Sequence, residues 1–243
     1  RKVISVAKSN KIKKVSFDFK EFVFPKIKFL GEKELGSIFA QNILLADFEF
    51  NDFKTPPKEG WNILEEVIIL NGNTEVKRGD EKGTVISEEI NKCRVLANTP
   101  GGDMTPSILA NKAKEASRGL PISVSVLDEK AMKKIGMGAV LGVGKGSPER
   151  PKFIILEYWG DKKGKNPQLG HRMSKLRKEG KTGGPIVLVG KGVTFDTGGL
   201  SLKPADSMLE MHMDMSGGAA VIHTIAIAAR LKLKKNVVGL VPA

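Results

Sequence analysis

The sequence predicts an α/β protein, with a mostly parallel sheet, helices on both of its faces, and part of a smaller α/β unit ahead of it. Three observations carry this. Four apolar runs, at Ile122–Leu127, 152–158, Ile186–Val189 and 236–241, have the length and β-branched content of strands. Helical spacing separates some of them, at about 129–135 and 217–231, and strands alternating with helices imply parallel neighbours joined by crossovers. The first part of the chain carries a pattern of its own, which divides it into residues 1–80 and 81–243.

Within the first part, residues 13–19 alternate apolar and polar like a half-buried strand. Leu35, Ile38, Phe39, Asn42, Ile43 and Ala46 recur at helical spacing. A second strand at 67–70 is closed by Asn71-Gly72-Asn73. The polar, glycine-containing stretch 74–83 is expected to break the pattern before a helix over 84–97, and the domain boundary is placed beside it. Further on, Thr105 as N-cap with Pro106 in the first turn starts a helix, and Gly119 is a fitting stop.

With 243 residues, 40% of them hydrophobic, the chain can bury a real core, and 28% charged residues without a low-complexity tract describe a globular protein. The single cysteine, Cys93, excludes an internal disulfide and a cysteine-based zinc site, and it fits a reducing, cytoplasmic setting. No run reaches the roughly 18 apolar residues of a membrane span, so no membrane partner is expected. Arg1 and Ala243 are both read as cuts in a longer chain. The formal charge is +13, and residues 161–181 hold eight Lys or Arg against Asp161 and Glu179. Such a segment is an exposed basic loop: either a contact for nucleic acid or a solvated insertion, and the absence of interleaved aromatics favours the insertion.

Residues 187–218 are where chemistry concentrates. A buried strand ends at Gly190-Lys191-Gly192, so Lys191 and Asp196 emerge beyond a strand's carboxyl end, where α/β sheets place their ligands. Gly198 and Gly199 allow unusual backbone dihedrals and close approach of a ligand. Asp214 lies between Met213 and Met215, just ahead of Ser216-Gly217-Gly218, where a helix starts; a carboxylate among apolar neighbours calls for a metal or a cation. Two carboxylates with Lys191 and Lys203 form either a metal-binding set or an ordinary ion-pair network, and spacing leaves both open. Neither Lys145 nor Lys191 sits in a phosphate-binding loop, since the glycine required six residues earlier is Ala139 or Pro185. His171, His212 and His223 form no His-Glu-x-x-His helix.

The runs VGKGVTFDTGG (189–199), SLKP (201–204), MDMSGGAA (213–220) and NVVGLVPA (236–243) resemble, in order and in spacing, the leucyl aminopeptidase (cytosol aminopeptidase, M17) family. LANTPGGDMTP (96–106) and GVGKGSPERPKFIILEYWG (142–160) resemble it as well. The resemblance covers about 80–243 well and the rest weakly. It implies a metal-dependent aminopeptidase that releases N-terminal residues, leucine-like ones preferred, from peptide substrates. It further implies a homohexamer and an N-terminal domain that does no chemistry. Two divalent metal ions, zinc or manganese, are implied, with Lys191 a ligand through a neutral amine, Asp196 contacting both metals, and Asp214 sharing the metal of Lys191. Oxygen and amine donors suit such borderline cations. Lys203 matches the family's catalytic lysine, which stays protonated and stabilises an oxyanion. Met211 falls where the family lines the pocket for the substrate's first side chain, although a plain core methionine is also compatible.

The family's other half-site, Asn-Thr-Asp-Ala-Glu-Gly-Arg, with its further metal carboxylates and the arginine that works with bicarbonate, is not in this sequence. Residues 81–243 are therefore expected to be an incomplete catalytic domain, and the chain to be inactive alone. The segment 161–184 is longer than the family's usual link and is read as an insertion. Two rival readings remain at this point: a basic nucleic-acid-binding protein on an aminopeptidase-like scaffold, and an inactive pseudo-enzyme.

Overall fold

A computed structural model describes residues 1–27, 29–161 and 184–243. The basic stretch singled out above, with His171, lies almost wholly outside the described residues. The chain divides into two units, Arg1–Asn91 and Lys92–Ala243.

The first unit contains α1 (Lys2–Ser9), β1 (Lys14–Asp18), α2 (Glu32–Asp47), β2 (Glu66–Leu70) and most of α3 (Thr74–Asn98). β1 and β2 pair in parallel, with Val15 beside Val67 and Phe17 beside Ile69. Phe17 turns inward and joins Ile4 of α1 and Ile43 of α2 in a small core. Phe39 meets Phe17 and Phe22 edge-on, at centroid separations of 5.3 and 5.0 Å, the arrangement that ring quadrupoles favour.

The stretch 74–83, expected to break the pattern, is instead the first part of α3. Its start is capped by Asn73, whose Oδ1 accepts from the N–H groups of Glu75 and Val76 at 3.0 and 3.1 Å. Its glycines serve packing and do not punctuate. A Cβ on Gly79 would stand 2.0 Å from the Lys33 carbonyl oxygen, and one on Gly83 would stand 2.3 Å from that of Ser37. The backbones of α2 and α3 approach too closely for any side chain at these positions, which overrides the weak helix propensity of glycine.

The second unit is built on a four-stranded sheet of β3 (Ile122–Leu127), β4 (Phe153–Trp159), β5 (Ile186–Val189) and β6 (Asn236–Pro242), in the order β3-β4-β6-β5. The α/β class is as the sequence predicts, but the strand directions are mixed. β4 runs antiparallel to both β3 and β6, and the parallel pair is β5 with β6. The physical reason lies in the connections. Between β3 and β4 stand two short helices, α5 (Glu129–Lys134) and α6 (Gly138–Gly144), neither long enough to carry the chain back along the sheet. Between β5 and β6 a long helix makes that return.

That helix is Ser216–Arg230; with the short turn of helix at Ala205–Met208 taken as α7, it is α8. α8 and α4 (Pro106–Ser117) cover the same face of the sheet. Ile222 and Ile225 of α8 and Leu109 and Ala113 of α4 close over Ile154, Leu156 and Val241, all of them fully buried. Helices on both faces were expected; among the described residues these two lie over one face. α4 is capped as its sequence predicts, with Thr105 Oγ1 accepting from the Ile108 N–H at 3.3 Å. β5, read from sequence as buried, is an edge strand of the described sheet with Ile186 and Val189 more than half exposed.

Candidate metal centre

β5 ends at Val189, and the next residues continue along β6 without being a strand. Gly190 N–H donates to the Leu240 carbonyl at 3.0 Å, and Gly192 N–H donates to that of Pro242 at 2.9 Å. Lys191 stands between these two anchors. Its own carbonyl accepts from the Gly218 N–H at 2.7 Å, so the first turn of α8 is fastened to the same residue. The approach is close enough that a Cβ on Gly190 would stand 2.2 Å from the Gly217 carbonyl oxygen. Because α8 is held to the sheet by its buried apolar face, this fastening fixes Lys191 relative to the segment that leads into α8.

That segment carries Asp214, which follows a single 3-10 turn at Met211–Met213 and precedes Met215, a fully buried side chain. Lys191 Nζ lies 2.8 Å from Asp214 Oδ2 and 4.0 Å from Asp196 Oδ2. Asp214 Oδ2 is shielded from solvent, yet the approach of Lys191 lacks hydrogen-bond geometry, so this oxygen has contact with a nitrogen but no hydrogen bond. Its charge is balanced by the Lys191 ammonium, and its hydrogen-bonding capacity is open to a further partner.

Asp196 is held from two sides. Gly198 N–H donates to Oδ1 at 2.8 Å, and the Lys203 ammonium donates to Oδ2 at 2.9 Å. The hydrogen bond from Lys203, then that from Gly198, holds the Asp196 carboxyl below the usual carboxylate range against a smaller opposing effect of burial. The loop that returns Lys203 to Asp196 depends on Gly198. That residue has φ +86°, and a Cβ there would stand 2.3 Å from the Ser201 carbonyl oxygen. The loop is closed by Lys203 N–H donating to the Thr197 carbonyl at 2.9 Å. Lys203 Nζ also donates to Met211 Sδ at 3.1 Å.

All five residues singled out from sequence, Lys191, Asp196, Lys203, Met211 and Asp214, thus stand in one cluster. Sequence reasoning did not find the contact between Lys203 and Met211, nor the part played by Thr197 and Gly198 in closing the loop. The Gly-Gly pair was the available signal for the second. Beside Lys191 opens an apolar cavity of about 420 Å³, walled by Val140, Val143, Val189, Val193 and Phe195. A second cavity, of about 480 Å³, lies in the first unit and contains none of the five.

Residues 91–243 match the catalytic domain of the cytosol aminopeptidase family. The chain belongs to that family. A probable cytosol aminopeptidase of Mycobacterium bovis is 40% identical over 205 residues, which is 83% of this chain and 37% of the relative. One from Mycobacterium leprae is 39% identical over 209 residues, again 37% of its length. The chain therefore spans well under half of the cytosol aminopeptidases it matches. Among solved structures, a variant of tomato leucine aminopeptidase superposes with a TM-score of 0.77 at 25% identity, over 99% of this chain and 43% of that one. The bottromycin maturation enzyme BotP in complex with Mn gives 0.75 at 25% identity, over 98% and 46%. A cytosol aminopeptidase from Coxiella burnetii gives 0.68 at 26% identity, over 86% and 39%.

The donor set is compatible with a divalent cation. Two carboxylates and one amine converge, one carboxylate oxygen is shielded and lacks a hydrogen bond, and oxygen and nitrogen donors suit borderline dications. Among the described residues no group of three His, Cys, Asp or Glu stands close enough to hold a metal by itself, so any ion here would depend on the lysine and on further ligands. No helix among the described residues is long and apolar enough to cross a membrane.

Proposed function

We propose that this chain is the part of a metal-dependent aminopeptidase that supplies the first metal ligands and the oxyanion donor. The observation that supports this is the pairing of Asp196 with two lysines in different settings. Lys191, 2.8 Å from a shielded carboxylate oxygen, is placed to serve as a ligand once its proton leaves. Lys203 is hydrogen-bonded to Asp196 Oδ2 at 2.9 Å and stands on the other side of that carboxylate.

In this reading Lys191 and Asp214 would hold one divalent ion, zinc or manganese, and Asp196 would serve both it and a second ion. Bound ions supply Lewis-acid polarisation of the scissile carbonyl and a nucleophile at neutral pH. The chain's own residues do the rest. An ammonium has three donors. Lys203 commits one to Asp196 and one to Met211, and the third is left for the oxygen that gains charge in the tetrahedral intermediate. Met211, beside that donor, lines the position of the substrate's first side chain, with leucine-like residues preferred.

Release of N-terminal residues from peptides, a cytoplasmic setting, a homohexamer and bicarbonate acting with an arginine complete the proposal. The Asn-Thr-Asp-Ala-Glu-Gly-Arg motif is not within residues 1–243, and these residues alone are expected to be inactive. The nucleic-acid alternative rests on the +13 charge of the chain alone and gains no further support.

The test is hydrolysis of leucine anilide by the full gene product that carries this chain, before and after a chelator, with zinc or manganese added back. Turnover that is lost to the chelator and restored by the metal supports the reading. Turnover indifferent to chelation, or none with either metal, removes it.

A further inference from the structure

Lys203 ends in an ammonium on a four-carbon stem, and such a group held by a single partner still swings about that partner. Here it has two. Asp196 Oδ2 accepts at 2.9 Å from seven residues earlier in the chain, and Met211 Sδ accepts at 3.1 Å from eight residues later. Met211 is itself held. It opens the 3-10 turn that Asp214 N–H closes onto the Met211 carbonyl at 3.3 Å, and that turn leads directly into buried Met215 and α8.

The choice of a thioether at this point has a consequence for charge. A sulfur is a weak acceptor and carries no formal charge. A second carboxylate in its place would hold Lys203 more firmly but would neutralise the charge needed opposite an oxyanion. A leucine of the same size would leave the ammonium tethered at one point.

We propose that Met211 is a positioning residue for Lys203, its sulfur fixing the direction of the ammonium without neutralising it. The inference rests on the aminopeptidase reading above and goes beyond it, since there Met211 only lines a pocket. The two roles predict opposite effects of three substitutions. Met211→Leu keeps the apolar volume and removes the acceptor. Met211→Gln keeps an acceptor and removes the apolar lining, and Met211→Glu differs from Gln by a charge alone.

The experiment is steady-state kinetics of the three variants of the full gene product on leucine and alanine anilides. Each variant is checked for metal content and for its melting temperature. Positioning predicts that Met211→Leu loses about three- to tenfold in kcat by the same factor on both substrates, the worth of one ordinary hydrogen bond, with KM little changed. Met211→Gln recovers much of that loss in kcat while raising KM for the leucine substrate, and Met211→Glu has a lower kcat than Gln. An unchanged kcat in Met211→Leu, or losses confined to KM that scale with the substrate's first side chain, overturns the proposal and leaves Met211 as lining. If Met211→Leu fails to fold, the Gln and Glu pair decides it, equal kcat in the two counting against the proposal. Absence of turnover by the unaltered protein overturns both readings, which separates that failure from the failure of this one.

Discussion

Lys203 donates to Asp196 Oδ2 at 2.9 Å across a loop of seven residues, and the same carboxylate lies 4.0 Å from the amine of Lys191. One carboxylate thus stands between two lysines, to which the proposed function gives a metal and a substrate respectively. Replacing Lys203 with alanine is therefore expected to cost about a hundred- to a thousandfold in kcat, the usual price of one oxyanion donor. Metal content should be unchanged. Kinetics on leucine anilide with metal analysis of the purified variant checks both, and near-normal turnover would end the assignment.

Lys191→Ala and Asp214→Ala should each weaken the same metal and spare the other. Outer partners of metal ligands are themselves worth about 10–100-fold in affinity, so loss of a direct ligand should exceed tenfold. Titration of the full gene product with a chromophoric chelator resolves the two classes of ion. Two metals held at unaltered affinity in both variants would reduce the cluster to an ion pair.

The long runs of this sequence were readable because each has one dominant cause. Thr105 and Pro106 cap α4 through local chemistry, and the strands β3, β4 and β6 follow from apolar runs bounded by turn residues. Lys191, Asp196, Lys203 and Asp214 were readable as a cluster because they lie within 24 positions around a strand end, whereas Met211 and the role of each residue came from the resemblance to the family. What sequence could not carry was anything decided by a neighbour. Gly79 and Gly83 look like breakers until the carbonyls of Lys33 and Ser37 are seen beside them. The antiparallel setting of β4 depends on where two short helices deliver the chain. The contact of Lys203 with Met211 depends on two loops folding back on each other.

Those glycines give a stability prediction with an internal control. Gly79→Ala should lower the melting temperature, since overpacking against a backbone oxygen costs about 1–3 kcal/mol and outweighs the gain of about 1 kcal/mol in helix propensity. Gly142→Ala, in α6 with open space around it, should be neutral or stabilising. Thermal melts of the two variants beside the parent decide it. A stabilised Gly79→Ala would mean that α2 and α3 do not approach as described.

Asp80 gives a pH dependence. Burial, and then the charge of Glu81, raises its carboxyl above the usual range. A folded-state pKa above the unfolded one contributes stability that is fully present below the unfolded value and is lost as pH rises through the folded value. Asp80→Asn should therefore melt higher than the parent at pH 7, and the difference should vanish below about pH 4, the ordinary carboxylate range. Melting curves from pH 3 to 8 check the sign, and a difference that grows on acidification would contradict it.

The backbone of Lys191 is tied at its own carbonyl and at the amide of each glycine beside it, all before any ligand arrives. Its backbone ordering entropy is thus lost during folding, and in the proposed reading capture of an ion would need only still the rotors of one side chain, roughly 2 kcal/mol. If Lys191 holds a metal as proposed, its affinity would be set in advance by how α8 seats on the sheet, and a substitution deep in that helix interface should surface as a weaker metal constant long before it surfaces as an unfolded protein.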